Sequence, residues 1–215
     1  NCGVLGYHTE RLAAKGLVGL DFTNAPASIA PVGGNKPVIG TNPFSLAVPG
    51  EGGPSLLIDQ SASTVAKSEI MMRAREGEAI PEGWALDADG NPTTDPDTAL
   101  KGSMTPSGGA KGLAAGLMAE IFAAALSGAT LGKDASPFSG TAGGPPKTGQ
   151  FFFAIDPDAF SGGAFAGSVA DLVAAIEAQD GARIPGSRRF ANRARIEREG
   201  TDVPDALIER IDAYV

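Results

Sequence analysis

Leu113, Leu117 and Ile121 recur every fourth residue, and Met118, Phe122 and Leu126 fill the neighbouring stripe. Residues 106–128 therefore predict a helix that is apolar almost all round and lies inside the protein. Its entrance differs in character. Gly108, Gly109 and Gly112 remove side chains where unpaired N–H groups point outward, and Lys111 adds a positive charge. That combination attracts anions, although a tight glycine turn with a solvated lysine would account for the same residues.

The rest of the pattern alternates between helical and extended periods. Residues 4–15 predict a short helix stopped by Gly16, and residues 17–23 a buried strand. Residues 44–48 and 55–58 read as strands joined by a Pro/Gly turn, and a helix after Ser63 puts Ile70, Met71 and Ala74 on one face. The unbroken run Phe151-Phe-Phe-Ala-Ile155 predicts a strand covered on both faces. An amphipathic helix follows over 165–178 through Val169, Leu172, Val173 and Ile176, then a mixed-charge helix to Glu199 and a last one opened by Pro204 and Asp205. Helix and strand in alternation make an α/β chain. Two long stretches rich in Pro and Gly, 24–43 and 127–149, are too long to be simple connections.

Composition narrows the choice of partners. With 17 basic and 25 acidic residues the 215-residue chain carries a net charge of −8, which argues against nucleic acid or an anionic membrane as a general partner. Any anion has to be bound locally. A single cysteine, Cys2, excludes an internal disulfide and fits a reducing, cytoplasmic setting. The chain opens Asn-Cys-Gly without a methionine or a signal-peptide pattern, so it reads as the later part of a longer polypeptide.

Chemistry-bearing motifs are sparse. There is no G-x-G-x-x-G after a strand, no complete phosphate loop, no G-x-S-x-G and no Cys/His cluster, so metal and nucleophile chemistry find no support. Asp87-Ala-Asp-Gly-Asn91 lacks the glutamate that would close a calcium loop and reads as a turn. His8, the only histidine, reads as a surface or packing residue on the first helix. Asp59 ends an apolar strand, where a carboxylate caps the next helix, holds a ribose or orients a reacting group. Arg188 and Arg189 follow the Pro185-Gly186 turn and either neutralise a phosphate or start a solvated helix.

Several signatures then agree in order and spacing: Ala30-Pro-Val-Gly-Gly34, Gly40-Thr-Asn-Pro43, Ile80-Pro-Glu-Gly-Trp-Ala-Leu-Asp87, Gly90-Asn-Pro-Thr-Thr-Asp-Pro96, Gly109-Ala-Lys-Gly112 and Gly149-Gln150. Together they resemble, over essentially the whole chain, the malate/L-lactate dehydrogenase family that lacks a Rossmann fold. The resemblance implies a dimeric oxidoreductase using NADP or NAD, with a family-specific mixed sheet flanked by helices and a cofactor site made of loops. Residues 1–150 would form the central cofactor-binding region, and 151–215 a C-terminal strand and helices packing back on it. Cofactor contacts would fall at Asn24 and Ala25, at Asp59, Gln60 and Ser61, at Lys111, and at Pro185, Gly186 and Ser187, with Asn42 in the substrate pocket.

The resemblance also exposes two departures. The family's N-terminal segment, with a Ser-His pair that helps form the site, is absent from these residues. Its usual His-x-Gly, whose histidine exchanges a proton with the alcohol, aligns with Asn1-Cys2-Gly3. Asparagine cannot shuttle a proton at neutral pH. Asn1 and Asp59 thus stand where the family's chemistry takes place, and an asparagine there suits a cyclic 2-imino acid, which arrives protonated at nitrogen, better than a 2-oxo acid. Δ1-Piperideine-2-carboxylate and Δ1-pyrroline-2-carboxylate are the implied substrates. The other readings are a malate- or lactate-type 2-hydroxy-acid dehydrogenase and a catalytically silent dinucleotide-binding protein.

Overall fold

The computed structural model describes residues 3–214; Asn1 and Cys2 lie outside them. Four strands, β1 (Val18–Thr23), β2 (Phe44–Gly50), β3 (Gly53–Gln60) and a late strand, β7 (Gln150–Ile155), form one sheet in the order β3-β2-β1-β7. Every pairing in this sheet is antiparallel. The tight connection from Gly50 to Gly53 permits a hairpin, and β7 returns beside β1 in the opposite sense.

Alternation across this sheet makes two unlike faces. Leu20, Phe22, Phe44, Phe151 and Phe153 share one face, and Phe122 stacks on Phe22 with ring centroids 5.0 Å apart. The other face carries Gly19, Asp21, Ser45 and Ala47, which lie in register across β1 and β2. Helix α1 (Gly6–Ala13) covers it. A second core gathers Ile29, Ile39, Ile70, Ile80 and Met104. Around it lie α2 (Lys67–Glu76), α3 (Pro96–Lys101) and a small antiparallel sheet of β4 (Ala85–Leu86), β5 (Pro92–Thr93) and β6 (Ser103–Met104). The sequence pattern did not predict α3, which Asp95 caps through a hydrogen bond from Thr98 N.

Helix α4 (Ala110–Glu120) and the π-helical turn Ile121–Leu126 correct the reading of a helix buried all round. Leu117, Met118, Ile121 and Leu126 are 43 to 59% exposed, while Gly112, Gly116, Ala119, Ala123 and Ala124 face inward. Close approach is the reason. A Cβ on Gly116 would stand 2.6 Å from Ile39 Cδ1 and 2.8 Å from Ala62 Cβ, so only small residues fit on the inner stripe.

The run 151–155 is also corrected. β7 lies at the end of the sheet, and its residues alternate between half-buried and exposed, with Phe152 47% exposed. Beyond it α5 (Asp158–Ser161), α6 (Phe165–Glu177), α7 (Ser187–Glu199) and α8 (Asp205–Asp212) contain no buried residue. α7 is nonetheless fixed to the sheet. Phe190 packs on Ala13, Ala47 and Leu57, Arg193 pairs with Glu10, and Arg189 pairs with Asp59. The Arg193 guanidinium, by hydrogen bond and charge, holds the Glu10 carboxyl below its usual range.

Candidate active site

Because the sheet is antiparallel, the end of β1, the start of β2, the end of β3 and the start of β7 meet at one edge. A hollow of about 320 Å³ opens there, lined in part by Asn24, Ala25, Thr41, Ser61, Thr148 and Gln150. The first turn of α2 supplies Lys67 and Ser68, and the chain before α1 supplies Gly3 and Leu5. A second hollow of about 520 Å³ shares Ala25, Thr41, Lys67, Ser68 and Phe138 with it and extends to Lys133. The lining is largely apolar, through Leu5, Ala25, Pro43, Ala66 and Phe138, with hydroxyl and amide side chains set into it, and Lys67 has no ion-pair partner among the described residues.

Buried amides hold this edge in shape. Asn24 Nδ2 donates to Thr130 O (2.8 Å) and Oδ1 accepts from Gly149 N (2.8 Å), which fastens the 127–149 excursion to the end of β1. Asn42 is wholly buried in a left-handed backbone conformation (φ 36°). Its Oδ1 accepts from Ala25 N (3.1 Å), and its Nδ2 donates to Gly116 O (3.0 Å) and Glu120 Oε2 (2.7 Å). Glu120 Oε1 accepts from Gly132 N (2.6 Å). A carboxylate in apolar surroundings is tolerable only when its oxygens are satisfied in this way. Asn42 is therefore corrected from a pocket-lining residue to a latch beneath the hollow, while its neighbours Thr41 and Pro43 reach the surface of it.

The other expected contacts form a separate cluster. A hollow of about 530 Å³ is lined by Leu57, Asp59, Pro185, Gly186, Ser187 and the arginines 183, 188 and 189. The turn is fastened to β3 by Leu57 N donating to Pro185 O (2.9 Å). Gly186 has φ 90° and lies so near β3 that a Cβ would stand 2.8 Å from that of Leu57. Asp59 caps not the helix that follows it but α1, which precedes it in sequence. Its Oδ2 accepts from Gly6 N (2.9 Å) and Arg189 Nη2 (2.8 Å). Through that oxygen Asp59 ties α1 to α7.

The expected cofactor residues thus fall into two groups on either side of the end of β3, with Asp59 facing one hollow, Ser61 the other, and Gln60 exposed between them. Lys111 stands apart on the exposed first turn of α4 and lines none of these hollows. Asn1 lies outside the described residues. The residues missed by sequence reasoning are Lys67, Ser68 and Phe138. Thr41 and Gln150 were present in the quoted motifs but carried no distinguishing signal of their own. Among the described residues no group of acids, cysteines and histidine could hold a metal ion.

One buried carboxylate has no such support. Asp21 is fully buried on β1 under α1, neither of its oxygens has a hydrogen-bond partner among the described residues, and burial pushes its pKa up to about 6 against the opposing charge of His8.

A family model described as malate/L-lactate dehydrogenase matches residues 1–212. The (2R)-3-sulfolactate dehydrogenase (NADP(+)) of Chromohalobacter salexigens is 45% identical over 99% of this chain and 63% of its own length. A Δ1-pyrroline-2-carboxylate reductase of Pseudomonas fluorescens is 41% identical over 94% of this chain and 61% of its own. Among solved structures, the Δ1-piperideine-2-carboxylate reductase of Pseudomonas syringae pvar. tomato superposes with a TM-score of 0.89 at 34% identity, covering 99% of this chain and 64% of that one. The chain therefore spans less than two thirds of the length of these relatives.

Proposed function

Because the chain belongs to the malate/L-lactate dehydrogenase family, we propose that it forms the coenzyme- and substrate-binding part of an NAD(P)H-dependent oxidoreductase that reduces a cyclic 2-imino acid such as Δ1-pyrroline- or Δ1-piperideine-2-carboxylate. The supporting observation is the lining of the 320 Å³ hollow. Among its described residues are hydroxyls, amides and one lysine, but no carboxylic acid, histidine or tyrosine. In the sequence, Asn1 aligns with the family's proton-exchanging histidine.

The residues fit a dinucleotide. The Pro185-Gly186-Ser187 turn and its arginines offer a cationic cradle in which only glycine can lie so near Leu57. When bound, the reduced coenzyme supplies the hydride. Asn24, Ala25, Gln60, Ser61 and, from the family resemblance, Lys111 are the remaining contacts of this reading. Lys67, at the start of α2, is placed to hold the substrate carboxylate, aided by Ser68 and the positive end of the helix. A protonated imine needs no acid in the hollow, since the nitrogen already carries its proton. A ketone would need a proton for its developing alkoxide, and among these residues only the Lys67 ammonium carries one to give.

A homodimer in the cytoplasm completes the reading. The exposed apolar stripe of α4 supports the first, and the single cysteine the second. No helix among the described residues is long and apolar enough to cross a membrane.

A second reading, reduction of a 2-oxo acid or oxidation of a 2-hydroxy acid, is favoured by the 45% identity to a sulfolactate dehydrogenase. Steady-state rates with Δ1-pyrroline-2-carboxylate, Δ1-piperideine-2-carboxylate, 3-sulfopyruvate, oxaloacetate and pyruvate separate the two, and turnover of only the oxo acids rejects the imine. Coenzyme binding with no turnover of any of them would leave a silent dinucleotide-binding protein.

A further inference from the structure

We propose that helix α1 is a pH-sensitive cover on the sheet: ionisation of Asp21 beneath it favours a lifted state in which water reaches the carboxylate. Asp21 is wholly buried, and neither of its oxygens has a hydrogen-bond partner among the described residues. The hydroxyls packed between α1 and the sheet are committed elsewhere. Ser45, directly opposite Asp21 on β2, donates to Ile58 O (2.9 Å), which leaves the Thr9 hydroxyl of α1 to donate to Ser45 Oγ (2.7 Å). The helix also lies too close for a hydration shell. Gly19, two residues before Asp21 on the same face of β1, is so near α1 that a Cβ would stand 2.9 Å from Thr9 O and 3.0 Å from Leu12 Cβ. A carboxylate placed in this way is tolerated as the neutral acid, whereas its charged form is stabilised by moving the helix off it.

The charges around Asp21 do not reverse this balance. α1 contributes His8, which favours the ionised acid, and β3 contributes Asp59, which opposes it and is itself paired with Arg189 of α7 at 2.8 Å. β2 presents Ser45, and β7 presents Phe152, against whose ring His8 stands edge-on at 5.9 Å between centroids. Burial outweighs them and holds the pKa at about 6 against the ordinary 3.8 that solvation would restore. The covered state is therefore favoured in acid and weakens as pH rises through 6. Gly3 and Leu5, just before α1, line the 320 Å³ hollow, and Gly6 N is held by Asp59, which lines the hollow beside the Pro185-Gly186 turn. One proton thus acts on the walls of both.

The test is hydrogen–deuterium exchange between pH 5 and pH 7.5, read as protection relative to the unstructured chain, on the purified protein and the variants Asp21→Asn, Asp21→Ala and His8→Gln. In the unaltered protein the protection of amides 9–13 should fall about tenfold over this range, the ratio that proton linkage gives for the two pKa values. It should change less than twofold in either neutral Asp21 variant and still fall in His8→Gln. Because the opening is local, amides 9–13 should exchange faster than 44–48 and respond less to dilute urea. A fall that persists in both Asp21 variants, or that only His8→Gln removes, overturns the proposal. Exchange of 9–13 and 44–48 at one common rate with the same response to urea overturns it too, since the whole protein would then be unfolding.

Discussion

Asn42 and Glu120, separated by 78 positions in sequence, meet side chain to side chain at 2.7 Å with both residues buried. This contact joins the loop before β2 to the last turn of α4, and through Gly132 N it reaches the far excursion of the chain as well. The edge of the sheet that carries the candidate active site is thus held from below by one amide and one carboxylate.

Replacing Glu120 with Gln puts an N–H₂ group where an oxygen accepted a bond, so either Asn42 Nδ2 or Gly132 N faces another donor. The expected cost is about 1–3 kcal/mol. Asn42→Asp should cost more at neutral pH, because two carboxylates would then share a buried contact, and part of that loss should return on acidification. Urea denaturation at pH 7.5 and pH 5 checks both; equal stability of Glu120→Gln and the unaltered protein would refute the latch.

Asp21 gives the stability profile a definite sign. Its folded pKa of about 6 lies above the ordinary aspartate value of 3.8, so the folded state binds the proton more tightly than the unfolded state. Stability from this group is fully present below the unfolded pKa and lost as pH rises toward 6, a change on the order of 3 kcal/mol. Asp21→Asn should therefore raise the denaturation midpoint at pH 7.5, by the equivalent of about 1–3 kcal/mol, with the gain vanishing near pH 4. A gain of the same size at both pH values would contradict the assignment.

Gly116→Ala tests the inner stripe of α4. The new methyl would meet Ile39 Cδ1 and Ala62 Cβ inside van der Waals distance. Overpacking costs about 1–3 kcal/mol and the helix propensity of alanine returns about 1 kcal/mol, so a lower Tm is expected. The outward Leu117→Ala should change the Tm of the monomer little, whereas a shift in sedimentation coefficient would report its use between subunits.

Lys67→Ala addresses the substrate end. Loss of the cation should raise KM for an imino-acid substrate about tenfold or more while NADPH affinity, read by coenzyme fluorescence, stays within twofold. Were coenzyme binding to weaken and KM to stay constant, Lys67 would belong to the coenzyme instead.

Sequence and structure divide the description along physical lines. The periods of 4–15, 17–23, 44–48, 55–58 and 165–178 identified helices and strands, because side chains on one local element report which way it faces. Gly16 and Gly186 marked chain reversals because positive φ values are costly for other residues, and both adopt them. The motif order carried the family. None of this locates a partner. The apolar run of α4 looked like a core because hydrophobicity is a property of a residue, whereas burial depends on how near the neighbouring layer comes. Here Ile39 and Ala62 come so near that small residues went inside and large ones out. For the same reason Asp59 capped a helix 53 residues before it, Asn42 turned away from the pocket, and Lys67 reached it. Each outcome was decided by contacts between segments far apart in the chain, which only the folded arrangement brings together.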